Sequence, residues 1–143
     1  MREIEFRGKE NSKWVYGSYS AIGMEAIAQN HWIFTKYREQ CLANKETVGQ
    51  YIGVKDKPAQ KKKSKMFDGD IVKVTDDFDN EPTYHVIRYY DDKDCPAFDL
   101  DPLIPNCECN GISFCILSSH HHIEVVGNIH DNPELMEKVE GKI

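Results

Sequence analysis

Two carboxylates, Asp68 and Asp70, flank Gly69 in the stretch KMFDGDIVKV, residues 65–74. Acids so placed can grip a divalent cation, and a cation held beside a lysine can activate water in a hydrolase or nuclease. The lysine at hand is Lys73. Side chains alternate along a strand, so Lys73 takes the opposite parity to Asp70 and points away from it. The same parity puts Val72 and Val74 on one buried side, and a regular strand begun at Asp68 would drive two unpaired carboxylates in with them at a cost. The stretch therefore reads as a turn, Asp68-Gly69-Asp70, that opens a core strand. A metal-dependent hydrolase or nuclease built on Asp68 and Asp70, or on the cluster of cysteines and histidines further along the chain, is the alternative.

Soft ligands form a second constellation. Cys95, Cys107, Cys109 and Cys115 fall within 21 residues, and His120, His121 and His122 follow closely. Zinc accepts such donors, but zinc ribbons and fingers use C-x₂-C pairs, and the spacing here is C-x-C. Cys115 also sits inside the apolar run ISFCIL, where a thiol behaves as a small hydrophobe. Unligated cysteines and no cofactor are the expectation, with zinc at Cys95, Cys107, Cys109, Cys115, His120 and His122 as the competing reading. Only His120 and His122 of the three histidines would share a side of extended backbone.

A third constellation is basic: Lys55, Lys57, Lys61, Lys62, Lys63 and Lys65 surround a polar loop, KPAQKKKSK. Trp14, Tyr16, Trp32 and Tyr51 could stack bases beside it. The competing reading, a solvated loop over an aromatic core, is favoured. The chain lacks G-x-S-x-G, H-E-x-x-H and G-x-x-x-x-G-K-[ST], so hydrolase and nucleotide motifs give no support to catalysis.

Composition bounds these choices. The 143 residues are 40% hydrophobic and 29% charged with a formal net charge of −6, which suits one folded domain and opposes long-range attraction to phosphate backbones. Five cysteines and no apolar leader suit reduced thiols in the cytoplasm. No apolar run reaches the roughly 20 residues a membrane helix needs, so no membrane partner is expected.

The elements that must position these residues read mainly as strands. REIEFR (2–7) alternates, with Ile4 and Phe6 on one face and Glu3, Glu5 and Arg7 on the other. GKENS (8–12) supplies a turn, and WVYGSY (14–19) completes a hairpin with Trp14 and Tyr16 on a common face. HWIFTKY (31–37) looks like a strand, whereas MEAIAQ and YREQCLAN support a turn or two of helix. TVGQYIGVKDK (47–57), the segment after Asp70, YHVIRYY (84–90), ISFCIL (112–117) and IEVVGNI (123–129) are further strands, and DDFDNEP and DDKDCPAFDLDP are acidic loops. DNPELMEKVEGK ends the chain as a short helix, with Asn132 as cap, Pro133 in the first turn and Gly141 as stop. The domain expected is a single one, 1–143, with a mobile loop at 58–66 and an irregular insertion at 91–111.

MREIEFRGK, WVYGSY, ETVGQYIGVKDK (46–57), FDGDIVKV (67–74) and IEVVGNIHDNPELME (123–137), in that order, resemble the YopX protein family of bacteriophages and prophages. The resemblance implies a mainly-β fold with a small antiparallel, barrel-like or sandwich sheet, and a phage or prophage setting. It brings no established activity. Family members pass from KDK through an Asn-Gly turn into GDIV, where this chain carries PAQKKKSKM (58–66), and the four-cysteine block 95–117 matches no family element. The functional expectation is a small accessory protein that binds a protein or nucleic-acid partner, with self-assembly through edge strands a further possibility.

Overall fold

The computed structural model describes residues 3–22, 30–78, 80–91, 96–104 and 110–141. The chain is mainly β and divides into two compact units, Met1–Gly53 and Val54–Ile143.

In the first unit, β1 (Phe6–Glu10) and β2 (Lys13–Ile22) form the expected hairpin. The turn is shorter than GKENS: Glu10 pairs with Lys13, leaving a two-residue loop in which Asn11 takes φ 58. Asparagine tolerates that left-handed conformation better than most residues. The meander continues through β3 (Asn30–Phe34) and β4 (Gln40–Ala43), so QCLA is a strand where a helical turn was expected. β5 (Gly49–Lys55) then returns beside β1 and runs on past the unit boundary. The strand order is β4-β3-β2-β1-β5, and β6 (Lys65–Phe67) follows β5 in that order.

One face of this sheet is the core of the first unit. Val15, Ile33, Cys41 and Ala43 are buried together, with Phe6, Tyr19 and Val48 packed against them. Tyr19 stacks on His31, and its hydroxyl lies 2.6 Å from His31 Nδ1. Gly17 marks where β2 leaves its pairing with Phe6 and takes up β3. A Cβ there would lie 2.0 Å from the Phe34 carbonyl oxygen, so the strands cross closer than any side chain allows.

In the second unit β7 (Asp70–Asp76), β8 (Thr83–Tyr90), β9 (Ala97–Asp101) and β10 (His121–Asn128) form an antiparallel sheet in the order β10-β7-β8-β9. Ile71 and Val72 are adjacent on β7, point to opposite faces and are both fully buried, so this central strand is covered on both sides. Among the described residues neither sheet closes on itself, and the edge strand β10 carries an isolated antiparallel bridge from Lys57 to Ile123; the barrel-like closure implied by the family resemblance is not formed by these strands.

Three further segments depart from the sequence reading. AFDLD, expected within an acidic loop, is β9; Leu100 and Asp99 are both buried in it. ISFCIL, expected as a strand, is helical: α1 spans Gly111–Leu117. Asp99 receives the amides of Gly111 and Ile112, each at 3.3 Å, while the Lys57 ammonium donates to the carbonyls of Ile116 and Ser118 at the other end. Capping from both ends overrides the β-propensity of the run, because unsatisfied end groups are what destabilise so short a helix. The C-terminal segment forms a 3-10 turn, Pro133–Leu135, and α2 (Met136–Val139). Gly141 follows α2 with φ 78 as expected, but Asn132 does not cap the turn; its side-chain Oδ1 accepts the Asn128 backbone amide instead.

Candidate functional site

The Asp68-Gly69-Asp70 turn joins β6 to β7. Gly69 has φ 90, its amide donates to Ile87 and its carbonyl accepts the Ile129 amide. The pleat begins at Asp70 itself, one residue earlier than expected. Asp70 is 2% exposed, and its Oδ2 accepts the Phe67 amide at 2.8 Å. A buried carboxylate is tolerated where it takes such charge-assisted bonds. Asp70 thus ties the turn together from inside, while Asp68 remains half-buried. Lys73 sits opposite Glu124 of β10 and Tyr84 of β8.

The basic loop is rooted in the fold. Asp56, also buried, accepts the Ser64 amide at 2.7 Å and the Val125 amide at 3.0 Å, closing the base of the loop. Lys57 is occupied at the end of α1, Lys61 lies 3.4 Å from Glu124, and Lys65 opens β6. Lys55, Lys62 and Lys63 are exposed. Lys57 and Lys61 thus have partners within their own unit that compete with phosphate.

Cys95, Cys107 and Cys109 lie outside the described residues. Cys115 is fully buried beside Ile112 on the inner side of α1 and is not part of a disulfide. The histidines alternate as expected: His120 Nδ1 and His122 Nε2 stand 3.7 and 3.6 Å from the Asp77 carboxylate, while His121 meets Ser118 Oγ at 2.7 Å and the Phe114 ring edge. Among the described residues no three His, Cys, Asp or Glu side chains are grouped to hold a metal ion.

Asp76 organises the acidic connection after β7. Its carboxylate accepts the Asn80 side chain and the Phe78 amide, each at 2.9 Å, and these bonds lower its pKa, the side-chain bond most. His85 is buried on β8, with Nδ1 2.6 Å from the Pro102 carbonyl and Nε2 2.8 Å from Thr83 Oγ1. The carbonyl requires a proton on Nδ1, so Nε2 of the neutral ring accepts from the threonine. Burial lowers the His85 pKa, and the Pro102 carbonyl opposes that fall only in part. A cavity of about 430 Å³ opens nearby, lined by Val86, Pro102, Met136 and Val139 together with Glu140 and the Arg88–Asp101 ion pair. The pair is half exposed and so of modest strength.

The remaining feature is the outer face of the first unit's sheet. Register places Lys9 opposite Trp14 and Arg7 opposite Tyr16. It likewise places Phe34 opposite Ser18, and Trp32 between Ser20 and Leu42. Because paired residues share a side, Trp14, Tyr16, Trp32, Phe34 and Leu42 stand on one face, away from Val15, Ile33, Cys41 and Ala43. Tyr16, Phe34 and Leu42 are 44%, 37% and 46% exposed, and the tryptophans are half-buried. The Arg7 guanidinium lies 4.5 Å above the Trp14 ring, and the Lys9 ammonium 5.2 Å from it. Of the four aromatic residues singled out in the sequence, Tyr51 is buried: Gly49 pairs with Arg7, so Tyr51 lies on the Arg7 side of the sheet, and this face is covered around Arg7 and Tyr51, 6% and 5% exposed, and open around Tyr16, Phe34 and Leu42; Phe34 and Leu42 were missed, although the alternation of HWIF and QCLA carried the signal.

A family model described as YopX protein matches residues 5–137. Among solved structures, that of protein EF1440 from Enterococcus faecalis is similar with a TM-score of 0.58 at 20% identity, covering 96% of this chain and 100% of that one. That likeness concerns the fold. No curated protein matches the chain. Among the described residues no helix is long and apolar enough to cross a membrane.

Proposed function

This chain belongs to the YopX protein family, and we propose on that premise that it is a phage- or prophage-encoded accessory protein acting in the host cytoplasm as a binding module. Its partner is a protein or a nucleic acid. The observation that supports the reading is the outer sheet face, where Tyr16, Phe34 and Leu42 stay exposed beside two half-buried tryptophans while the opposite face holds the core. Aromatic side chains displayed together are costly to hydrate and mark binding surfaces. The hydrolase alternative would draw on Asp70, which is buried and committed to the Phe67 amide.

The test compares immobilised wild type with Y16A/F34A in lysate from bacteria whose prophages have been induced. A species retained by the wild type and depleted on the double variant supports the proposal, and digestion with nuclease or protease assigns its class. Equal retention by the two proteins would remove the face from the function.

A further inference from the structure

We propose that the outer face of the first unit binds single-stranded nucleic acid, its bases stacking on Tyr16, Phe34 and Trp32. This deepens the binding-module reading by naming the partner, and it rests on that reading.

Three observations carry it. The first is spacing. Trp32 and Phe34 are alternate residues of β3, so they stand about 6.6 Å apart along the strand, and Tyr16 lies diagonal to Phe34 across the β2–β3 pair. Rings at such intervals suit an extended strand whose unpaired bases each present a flat face. Duplex DNA offers no such faces along its length.

The second observation is polarity. Ser18 and Ser20 on β2 and Gln40 on β4 sit directly opposite Phe34, Trp32 and Phe34 in the register. Protein–protein interface cores are depleted in serine, whereas hydroxyls and amides between stacking rings suit base edges and sugars. The mixture favours nucleic acid over a protein partner.

The third observation is charge. The first unit carries seven Lys and Arg against six Asp and Glu, and the second eleven against eighteen, so the acidic surplus of the chain lies in the second unit. Lys9 places a cation at Trp14, while Arg7 over the same ring is buried and is not offered to a ligand; Lys36 and Arg38 occupy the turn after Phe34. Of the acids on these elements, Glu10 pairs with Lys13 across the hairpin and accepts the Leu42 amide, and Glu39 shares the turn with Lys36. Few cations flank the rings, so stacking supplies most of the affinity and salt only a modest part.

That balance makes the face separable from the lysine loop. The experiment is fluorescence anisotropy with labelled oligothymidylate and oligouridylate of about 12 nucleotides, within usual site sizes, between about 50 and 200 mM salt. The proteins are full-length wild type, Y16A, F34A, F34W and K61Q/K62Q/K63Q, each checked for native circular dichroism. The expected result is a shallow log–log salt slope of about −1 to −2, since each phosphate contact contributes about 0.7 on a single strand. Y16A and F34A should each weaken binding about tenfold, F34W should restore it, and the lysine triple variant should bind as wild type. A steep slope abolished by the lysine variant and unaffected by F34A would overturn the assignment to this face while leaving a nucleic-acid binding module intact. Absence of binding by both oligonucleotides would overturn the inference, and the lysate comparison would then decide the broader reading by itself. Wild-type dimers that F34A converts to monomers, without oligonucleotide binding, would reassign the face to a second copy of the chain.

Discussion

Gly69 and His85 each impose a measurable condition on the second unit. At φ 90 a side chain meets its own backbone, and the space around Gly69, with Ile129 no nearer than 3.7 Å, means that conformation rather than crowding is what a substitution would violate. Gly69→Val should cost about 1–3 kcal/mol and lower the melting temperature by several degrees, about 2–8 °C for a transition of this size class. An unchanged melt would show that the turn does not need glycine. His85 acts through protons. Its pKa is lowered in the fold by burial, so the unfolded chain takes up a proton at higher pH than the native one does. Stability is therefore complete above the ordinary histidine range and falls as pH drops through it toward the depressed native value. Urea midpoints measured between about pH 7 and 5 should decline for the wild type, and the decline should shrink in H85Q, whose side chain keeps polar atoms near Thr83 and Pro102 without titrating there. An equal decline in both proteins would move the acid sensitivity elsewhere.

The element that most tests the physical account is α1. Seven residues do not hold a helix by propensity; here Asp99 takes the first amides and Lys57 the last carbonyls. Asp99→Ala and Lys57→Met should each loosen the helix, by about 1 kcal/mol or more for Asp99, whose partners Gly111 and Ile112 are buried, and by less for Lys57, whose partners Ile116 and Ser118 are half-buried. Cys115, fully buried in the native helix, reports the loss: alkylation mapped by mass spectrometry should reach it faster in either variant than in the wild type. Unchanged protection would mean that packing alone holds the segment. The same helix explains what the sequence concealed. Strand parity alone finds the hairpin, β7, β8, β10 and the sides taken by Trp14 and Tyr16 or His120 and His122, since alternation is a local property. ISFCIL is rich in β-formers, and its caps come from residues 12 and more positions away in sequence, beyond the reach of any local pattern. β9 was hidden differently. Its Phe98 and Leu100 do alternate with acids, but four further aspartates nearby (Asp91, Asp92, Asp94 and Asp101) gave the stretch the composition of a loop, and only tertiary burial of Asp99 as a capping group reverses that reading. The partners of the lysines were hidden for a related reason, because sequence shows the charges and not the carbonyls near α1 or the Glu124 carboxylate that Lys57 and Lys61 serve.

At the scale of the whole chain, the division into two units falls between Gly53 and Val54, inside the single strand β5. The start of that strand pairs with β1 through Gln50 and Gly49, and its last two residues belong to the second unit. A continuous strand transmits register, so fraying at one end weakens the pairing available at the other, and we propose that the chain unfolds as one cooperative domain. The residues provide two separate reporters for this. Both tryptophans, Trp14 and Trp32, lie in the first unit, whereas Cys115 lies buried in the second. Tryptophan emission and Cys115 labelling followed through the same urea titration should give coincident midpoints and a common slope, the signature of two-state unfolding. Separate midpoints would make β5 a linker rather than a shared strand. In that case the first unit would carry its aromatic face as an independent module, and Y16A or F34A would be free to alter binding without shifting the Cys115 midpoint.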